Sequence, residues 1–140
     1  MLSLRMVQSD VQRVAEAIAV ALDVDVEITD RDLIRVAGTG EFSRQLGNSL
    51  AGQGRVHAHV LQTGATVVIE NPGDHELCRT CAMAKRCYAT AELCCPINHG
   101  SAVAGVMGLV SHTQAQRRRL LDNVRANVAF LERMADLLSA

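Results

Sequence analysis

The feature that most constrains this chain is a cluster of thiols. All five cysteines fall in one segment, spaced Cys78-x2-Cys81-x5-Cys87-x6-Cys94-Cys95, in a chain of 140 residues. Four thiolates can close a tetrahedral site around zinc, or each bind one iron of a cubane cluster. Cys78 and Cys81 can reach one metal from a single turn. Cys87 sits beyond Lys85 and Arg86, so the fourth ligand has to come from Cys94 or Cys95. The stretch Met1 to Asp10 lacks the basic, apolar and small-residue order of a secretory signal, so the cytoplasm is the expected compartment. In a reducing compartment clustered thiols point to a metal or to redox chemistry, not to structural disulfides.

Zinc sites usually pair two CxxC-like knuckles, and only one such knuckle is present. The irregular spacing therefore favours an iron–sulfur cluster of the 4Fe–4S kind, with zinc as the alternative. Arg79, Lys85 and Arg86 could offset the negative charge of a tetrathiolate cluster. The plainer reading is a redox-active thiol cluster, or a set of inert reduced thiols. Cys94 and Cys95 fall on opposite faces of a strand, because side chains alternate. Parity groups Cys95 with Leu93 and Ile97, which favours a buried position for it. The expected metal ligands are Cys78, Cys81, Cys87 and Cys95, with Cys94 kept as a cofactor-binding candidate. His75 borders the cluster and suits a turn or capping role better than ligation. His57, His59, His99 and His112 show no metal spacing, and His57 and His59 are expected on a helix surface.

The rest of the chain reads as alternating helices and strands. Ser9 with Gln12 can cap a helix whose face is Val11, Val14, Ile18 and Leu22. Val24, Val26 and Ile28 alternate with Asp25, Glu27 and Thr29, the pattern of a half-buried strand. After a turn at Asp30-Arg31-Asp32, Leu33 to Ala37 forms its hairpin partner. Residues 38 to 54 are glycine-rich and read as a loop, with one weak helical turn around Phe42 to Leu46. Arg55 to Gln62 is helical and stops at Gly64. Thr66 to Glu70 is a strand, followed by a turn at Asn71-Pro72-Gly73. Leu93 to Asn98 and Ala102 to Val110 make a second hairpin, in which Gly105 and Gly108 permit bulging or close backbone approach. A last helix is expected over 113–138, capped by Ser111 or Thr113. Its apolar seam has Leu121, Val128 and Ala135 at one heptad position and Val124, Leu131 and Leu138 at the other. That seam serves either packing on the chain's own sheet or a homodimer and output helix.

Five strands with helices at both ends and in the middle give an α+β fold with one antiparallel sheet, in a single domain over 1–140. Net charge is −1, from 14 basic and 15 acidic residues, and aromatics are 2 %. That balance gives no broad attraction to nucleic acid or anionic lipid, and few rings for stacking on bases. The run Arg117-Arg118-Arg119 reads as a solvated face or a protein contact, and not as a DNA contact. No stretch approaches the length of a membrane span. Neither GxGxxG, GxxxxGK[ST] nor a Ser-His-Asp arrangement is present, so no enzyme activity is expected.

Three stretches carry a family resemblance: Val11 to Gly38, Ile69 to Cys95 (IENPGDHELCRTCAMAKRCYATAELCC) and Pro96 to Leu138, within which lies GVMGLVSHTQAQRRRLLDN. They resemble the N-terminal PAS/GAF-like sensor domain of bacterial enhancer-binding activators that work with the nitrogen-type sigma factor. The resemblance implies a regulatory input domain whose cysteines bind a cluster or metal and report redox state, oxygen or a metabolite. The matching positions are Cys78, Cys81, Cys87 and one of Cys94 or Cys95. Such activators continue into an ATPase domain and a helix-turn-helix domain, and neither is found before Ala140. Direct DNA binding and ATP hydrolysis are therefore not expected of these residues.

Overall fold

A computed structural model describes residues 4–51, 54–72, 75–78 and 89–139. The elements are α1 (Gln8–Leu22), β1 (Asp25–Asp30), β2 (Arg35–Gly38), α2 (Arg55–Thr63), β3 (Val67–Ile69), β4 (Ala91–His99), β5 (Ala102–Ser111), α3 (Gln114–Leu121) and α4 (Val124–Ser139). Single 3-10 turns lie at Leu4–Val7, Gly40–Phe42 and Glu76–Cys78. The five strands form one antiparallel sheet in the order β2-β1-β5-β4-β3, as the α+β reading anticipates.

Both faces of that sheet are covered. On one, Val26, Ile28, Leu93, Cys95, Ile97, Met107 and Leu109 meet Val11, Ala15 and Ile18 of α1 and Leu131 and Ala135 of α4. On the other, Ile69, Cys94 and Val106 meet Val56 and Val60 of α2 and Leu77 of the turn Glu76–Cys78. The two layers correct the expectation for β1, whose polar side is not solvated. Glu27 and Thr29 are buried with Val26 and Ile28, because α2 roofs the face they point to.

Several local expectations meet the structure directly. Gly64 ends α2 in the left-handed region at φ 68°, and its N–H donates to Val60 O. Thr113 caps α3, accepting the Gln116 N–H at 3.0 Å. Asp30 closes the first hairpin by accepting the N–H groups of Asp32 and Ile34 at 2.8 and 3.0 Å. Ser9, however, lies inside α1 and does not cap it, since the turn Leu4–Val7 leads directly into the helix. Gln12 is also spent elsewhere: its amide both donates to and accepts from the Gly38 backbone, at 3.0 Å each way. That pair ties α1 to the edge of β2.

The single helix expected over 113–138 is two helices. Asp122 and Asn123 interrupt it. The break is stabilised by Asn127, whose side-chain N–H donates to Arg119 O at 2.8 Å and Leu120 O at 2.9 Å. Those carbonyls end α3 and would otherwise lack partners. The heptad seam packs on the chain's own sheet: Leu131 and Ala135 are buried, and Leu121, Val124, Val128 and Leu138 flank them. Among the described residues no helix is long and apolar enough to cross a membrane.

Candidate functional site beneath α2

Among the described residues, the face under α2 gathers the buried polar side chains of Glu27, Thr29, Arg35 and His57. Its frame is a row across three strands, in which Glu27 of β1 stands opposite Gly108 of β5, and Gly108 stands opposite Cys94 of β4. Strand alternation points Glu27, Thr29, Glu92 and Cys94 to this side. His57 descends on the row from α2, between the apolar anchors Val56 and Val60. It is 3 % exposed, so the expectation of a surface position for it is wrong. The nine-residue helix has one narrow apolar stripe, and the next side chain round its axis is carried under with it. His59, on the same helix, is half-buried.

The ring of His57 is held by Thr29, whose Oγ1 lies 2.8 Å from Nδ1. Its Nε2 is buried and has no hydrogen-bond partner among the described residues. Glu27 Oε2 faces that nitrogen at 3.7 Å, beyond hydrogen-bond range. Glu27 Oε1 accepts from Arg35 Nε at 3.1 Å and from Nη2 at 2.7 Å. Arg35 Nη1 donates to Gln45 Oε1 at 3.0 Å, and its guanidinium lies 5.0 Å over the Phe42 ring. The glycine-rich loop is therefore fastened to the site through one arginine.

Gly108 is part of the site by what it lacks. A Cβ there would stand 3.3 Å from His57 Nε2 and 3.3 Å from Cys94 Sγ. Burial lowers the His57 pKa, Arg35 lowers it further, and Glu27 opposes both, leaving a neutral ring at pH 7. Burial pushes the half-buried Glu92 carboxyl up to about 7, with the Glu27 charge adding to it. Cys94, 4.0 Å from Glu92 Oε2, is raised well above an ordinary thiol by burial and then by Glu92, Glu27 and Cys95. Cys95 is pushed up to about 12 by burial and by Glu132 and Asp136. Both are free thiols held protonated, the opposite of an activated nucleophile.

Of the sequence-derived ligands, Cys81 and Cys87 lie outside the described residues, and Cys78 ends the turn Glu76–Cys78. Cys94 and Cys95 do occupy opposite faces, and both are fully buried. Cys94 shares its apolar cluster with Leu77, next to Cys78, whereas Cys95 lies in the core under α1 and α4. Among the described residues no three His, Cys, Asp or Glu side chains converge as metal ligands. His75 has the expected turn role, its Nδ1 accepting the Leu77 N–H at 3.1 Å. It lines an open hollow of about 420 Å³ with Val68, Glu70 and Asn71.

Two residues outside this face link the thiol segment and the site loop to α3. Arg117 donates to Glu70 O and Thr90 O, on either side of Cys78, Cys81 and Cys87, while Arg118 and Arg119 are exposed as expected of a solvated face. His112 Nδ1 lies 2.6 Å from Asp25 Oδ2, and its ring stands 5.5 Å from that of Phe42. No periodicity marks Glu27, Thr29, Arg35 or His57 as partners. The usable signal is Gly108, a glycine inside a long apolar strand.

The GAF-domain sequence profile matches residues 5–140. Over 122 residues, 87 % of this chain, the sequence is 35 % identical to a protein of Escherichia coli strain K12, provisionally named uric acid sigma-54-dependent transcriptional regulator UacR. The chain spans 21 % of that protein's length. Among solved structures, it is similar to the type II free methionine-R-sulfoxide reductase of Thermoplasma acidophilum, with TM-score 0.73 and 15 % identity, over 98 % of this chain and 93 % of that one. It is also similar to residues 122 to 287 of a methyl-accepting chemotaxis protein, with TM-score 0.72 and 22 % identity, over 95 % and 86 % of the two chains. The A. aeolicus nlh2 GAF domain matches with TM-score 0.68 and 16 % identity, over 94 % and 82 %. These structural likenesses describe the fold, and the profile over residues 5–140 establishes that the chain belongs to the GAF-domain family.

Proposed function

We propose that this chain is the sensory input domain of a sigma-54-dependent transcription activator, and that it receives its signal as a small polar molecule on the face beneath α2. The observation that carries the reading is the buried Nε2 of His57, which has no hydrogen-bond partner among the described residues and faces Glu27 Oε2 at 3.7 Å. A buried polar atom without a partner costs about 1–3 kcal/mol, so its retention favours a partner supplied by a ligand. The name of the Escherichia coli relative suggests urate or a related oxopurine. The output would leave through β5, which runs straight into α3 and α4. Activator ATPase and DNA-binding domains, and a second copy docked through α4, are the partners this role calls for. Isothermal titration with urate and xanthine tests the reading; folded protein that binds neither contradicts it.

The placement of Cys94 supports a second input on the same face. A 4Fe–4S cluster held by Cys78, Cys81, Cys87 and Cys94 would lie on the side where Leu77 and α2 pack, which favours Cys94 over Cys95 as the fourth ligand. A metal cation on Cys94 Sγ would displace the proton that burial now holds there. Such a cluster would supply a redox-sensitive centre. Anaerobically prepared protein should then contain iron and acid-labile sulfide, lost in Cys94→Ser and kept in Cys95→Ser. One equivalent of air-stable zinc would replace the cluster by a structural metal, and colourless metal-free protein would remove both.

A further inference from the structure

His112 and Thr113 join β5 to α3, and one carboxylate of β1 holds that junction. A carboxylate only accepts, so His112 Nδ1–H donates to Asp25 Oδ2, at 2.6 Å. Gln116 Nε2 donates to Asp25 Oδ1 at 3.4 Å, and Gln116 Oε1 accepts the His112 N–H at 2.8 Å. Asp25 thus fixes both the connecting residues and the first turn of α3.

The turn Gly40–Phe42 touches this arrangement at two points. The Phe42 ring stands 5.5 Å from the His112 ring, tilted by 57°. The Gly40 backbone comes so close to Asp25 that a Cβ on it would lie 2.0 Å from Oδ1. Phe42 also meets Arg35, whose guanidinium lies 5.0 Å over its ring. Arg35 in turn is bonded to Glu27 Oε1 at 2.7 Å and to Gln45 Oε1 at 3.0 Å. A ring has a negative face and a positive edge, so it holds a cation and a second ring only in set geometries. A displacement of Arg35 therefore shifts Phe42, and with it a neighbour of His112. Leu120 is buried and Arg117 donates to Glu70 O and Thr90 O, so α3 stays docked while its first turn loosens.

We propose that the turn Gly40–Phe42 is a coupling latch, by which the position of Arg35 beside Glu27 sets the order of the first turn of α3. Phe42 is the positioning residue for His112, and the Gly40 backbone for Asp25. That the latch carries a signal rests on the reading of the α2 face as the input site; the latch itself is complete without a ligand.

The test is amide hydrogen exchange of the protein alone. The N–H groups of His112, Gln116 and Arg117 donate to Gln116 Oε1, Thr113 Oγ1 and Thr113 O, so they report the order of that turn. Phe42→Leu should speed their exchange about three- to tenfold and leave α1 unchanged, whereas Phe42→Tyr should stay near wild type. Gln45→Ala removes the side-chain partner of Arg35 Nη1; it should speed the same amides by itself and add little to Phe42→Leu. Unchanged exchange in Phe42→Leu, equal acceleration in α1, or independent effects of the two substitutions would each overturn the latch. Titration with urate and xanthine reads the input separately: coupled exchange in protein that binds neither keeps the latch and removes the input reading.

Discussion

Thr29 of β1 and His57 of α2 share a hydrogen bond of 2.8 Å across the boundary between sheet and helix. Both side chains are buried, so neither can turn to water if the other is lost. Thr29→Val should destabilise the protein by about 1–3 kcal/mol, and Thr29→Ser by less, since it keeps the hydroxyl. Urea unfolding checks this; equal losses in the two variants would show that the bond contributes nothing.

Arg35 and Glu27 form a buried pair, each side chain 8 % exposed. Arg35→Met leaves the Glu27 charge unpaired and should cost about 3–5 kcal/mol. Adding Glu27→Leu should recover much of that, because replacing both charges removes the desolvation penalty. A double variant no more stable than Arg35→Met would contradict the pairing.

Asn127 closes the end of α3 with two side-chain hydrogen bonds to carbonyls. Asn127→Ala should cost about 1–2 kcal/mol and speed amide exchange in the last turn of α3 more than in α1. Uniform acceleration through both helices would instead mark a general loss of stability.

Gly105 is the tightest point in β5. A Cβ there would lie 2.3 Å from Thr29 O and 2.5 Å from Leu4 Cδ1. Leu4 can move but the β1 backbone cannot, so Gly105→Ala should cost about 1–3 kcal/mol or more. A melting temperature within a degree of wild type (roughly the resolution of a ΔΔG below 0.3 kcal/mol) would contradict the close approach.

Two groups give opposite pH dependence. The Glu92 carboxyl is raised to about 7 from 4.5, so the folded state binds its proton more tightly than the unfolded state. Its contribution is present below pH 4.5 and is lost as pH rises through 7. His57 is lowered from 6.5, so its contribution is present above that value and is lost as pH falls through the folded pKa. In chelator-treated protein Glu92→Gln should flatten the fall toward pH 7, leaving the loss on the acid side. An unchanged stability profile in Glu92→Gln would place the titration elsewhere.

The hairpins and the cap at Gly64 were legible because each follows from local chemistry; the heptad period of α4 showed an apolar seam but not what covers it, which is the chain's own sheet. The polar face was not legible. A strict alternation in β1 reads as half-exposed, since nothing near Glu27 or Thr29 in sequence announces that α2 covers them. His57 lies one position from Val56, outside a strict apolar stripe, and so reads as surface. The break before α4 hides for a similar reason: Asn127 stabilises it from four residues downstream, inside a regular apolar pattern. Strand parity puts Cys95 in the core with Leu93 and Ile97, as the structure has it, but it does not tell which thiol faces the turn carrying Cys78; the position of Leu77 puts that turn on the Cys94 side.

Reception of the signal beneath α2 is tested by amide spectra recorded while urate or xanthine is added. The largest shifts are expected at Glu27, Thr29, His57, Cys94 and Gly108. Shifts confined to the α1 and α4 face, or to the hollow at Val68, Glu70, Asn71 and His75, would contradict it, as would a spectrum that does not change.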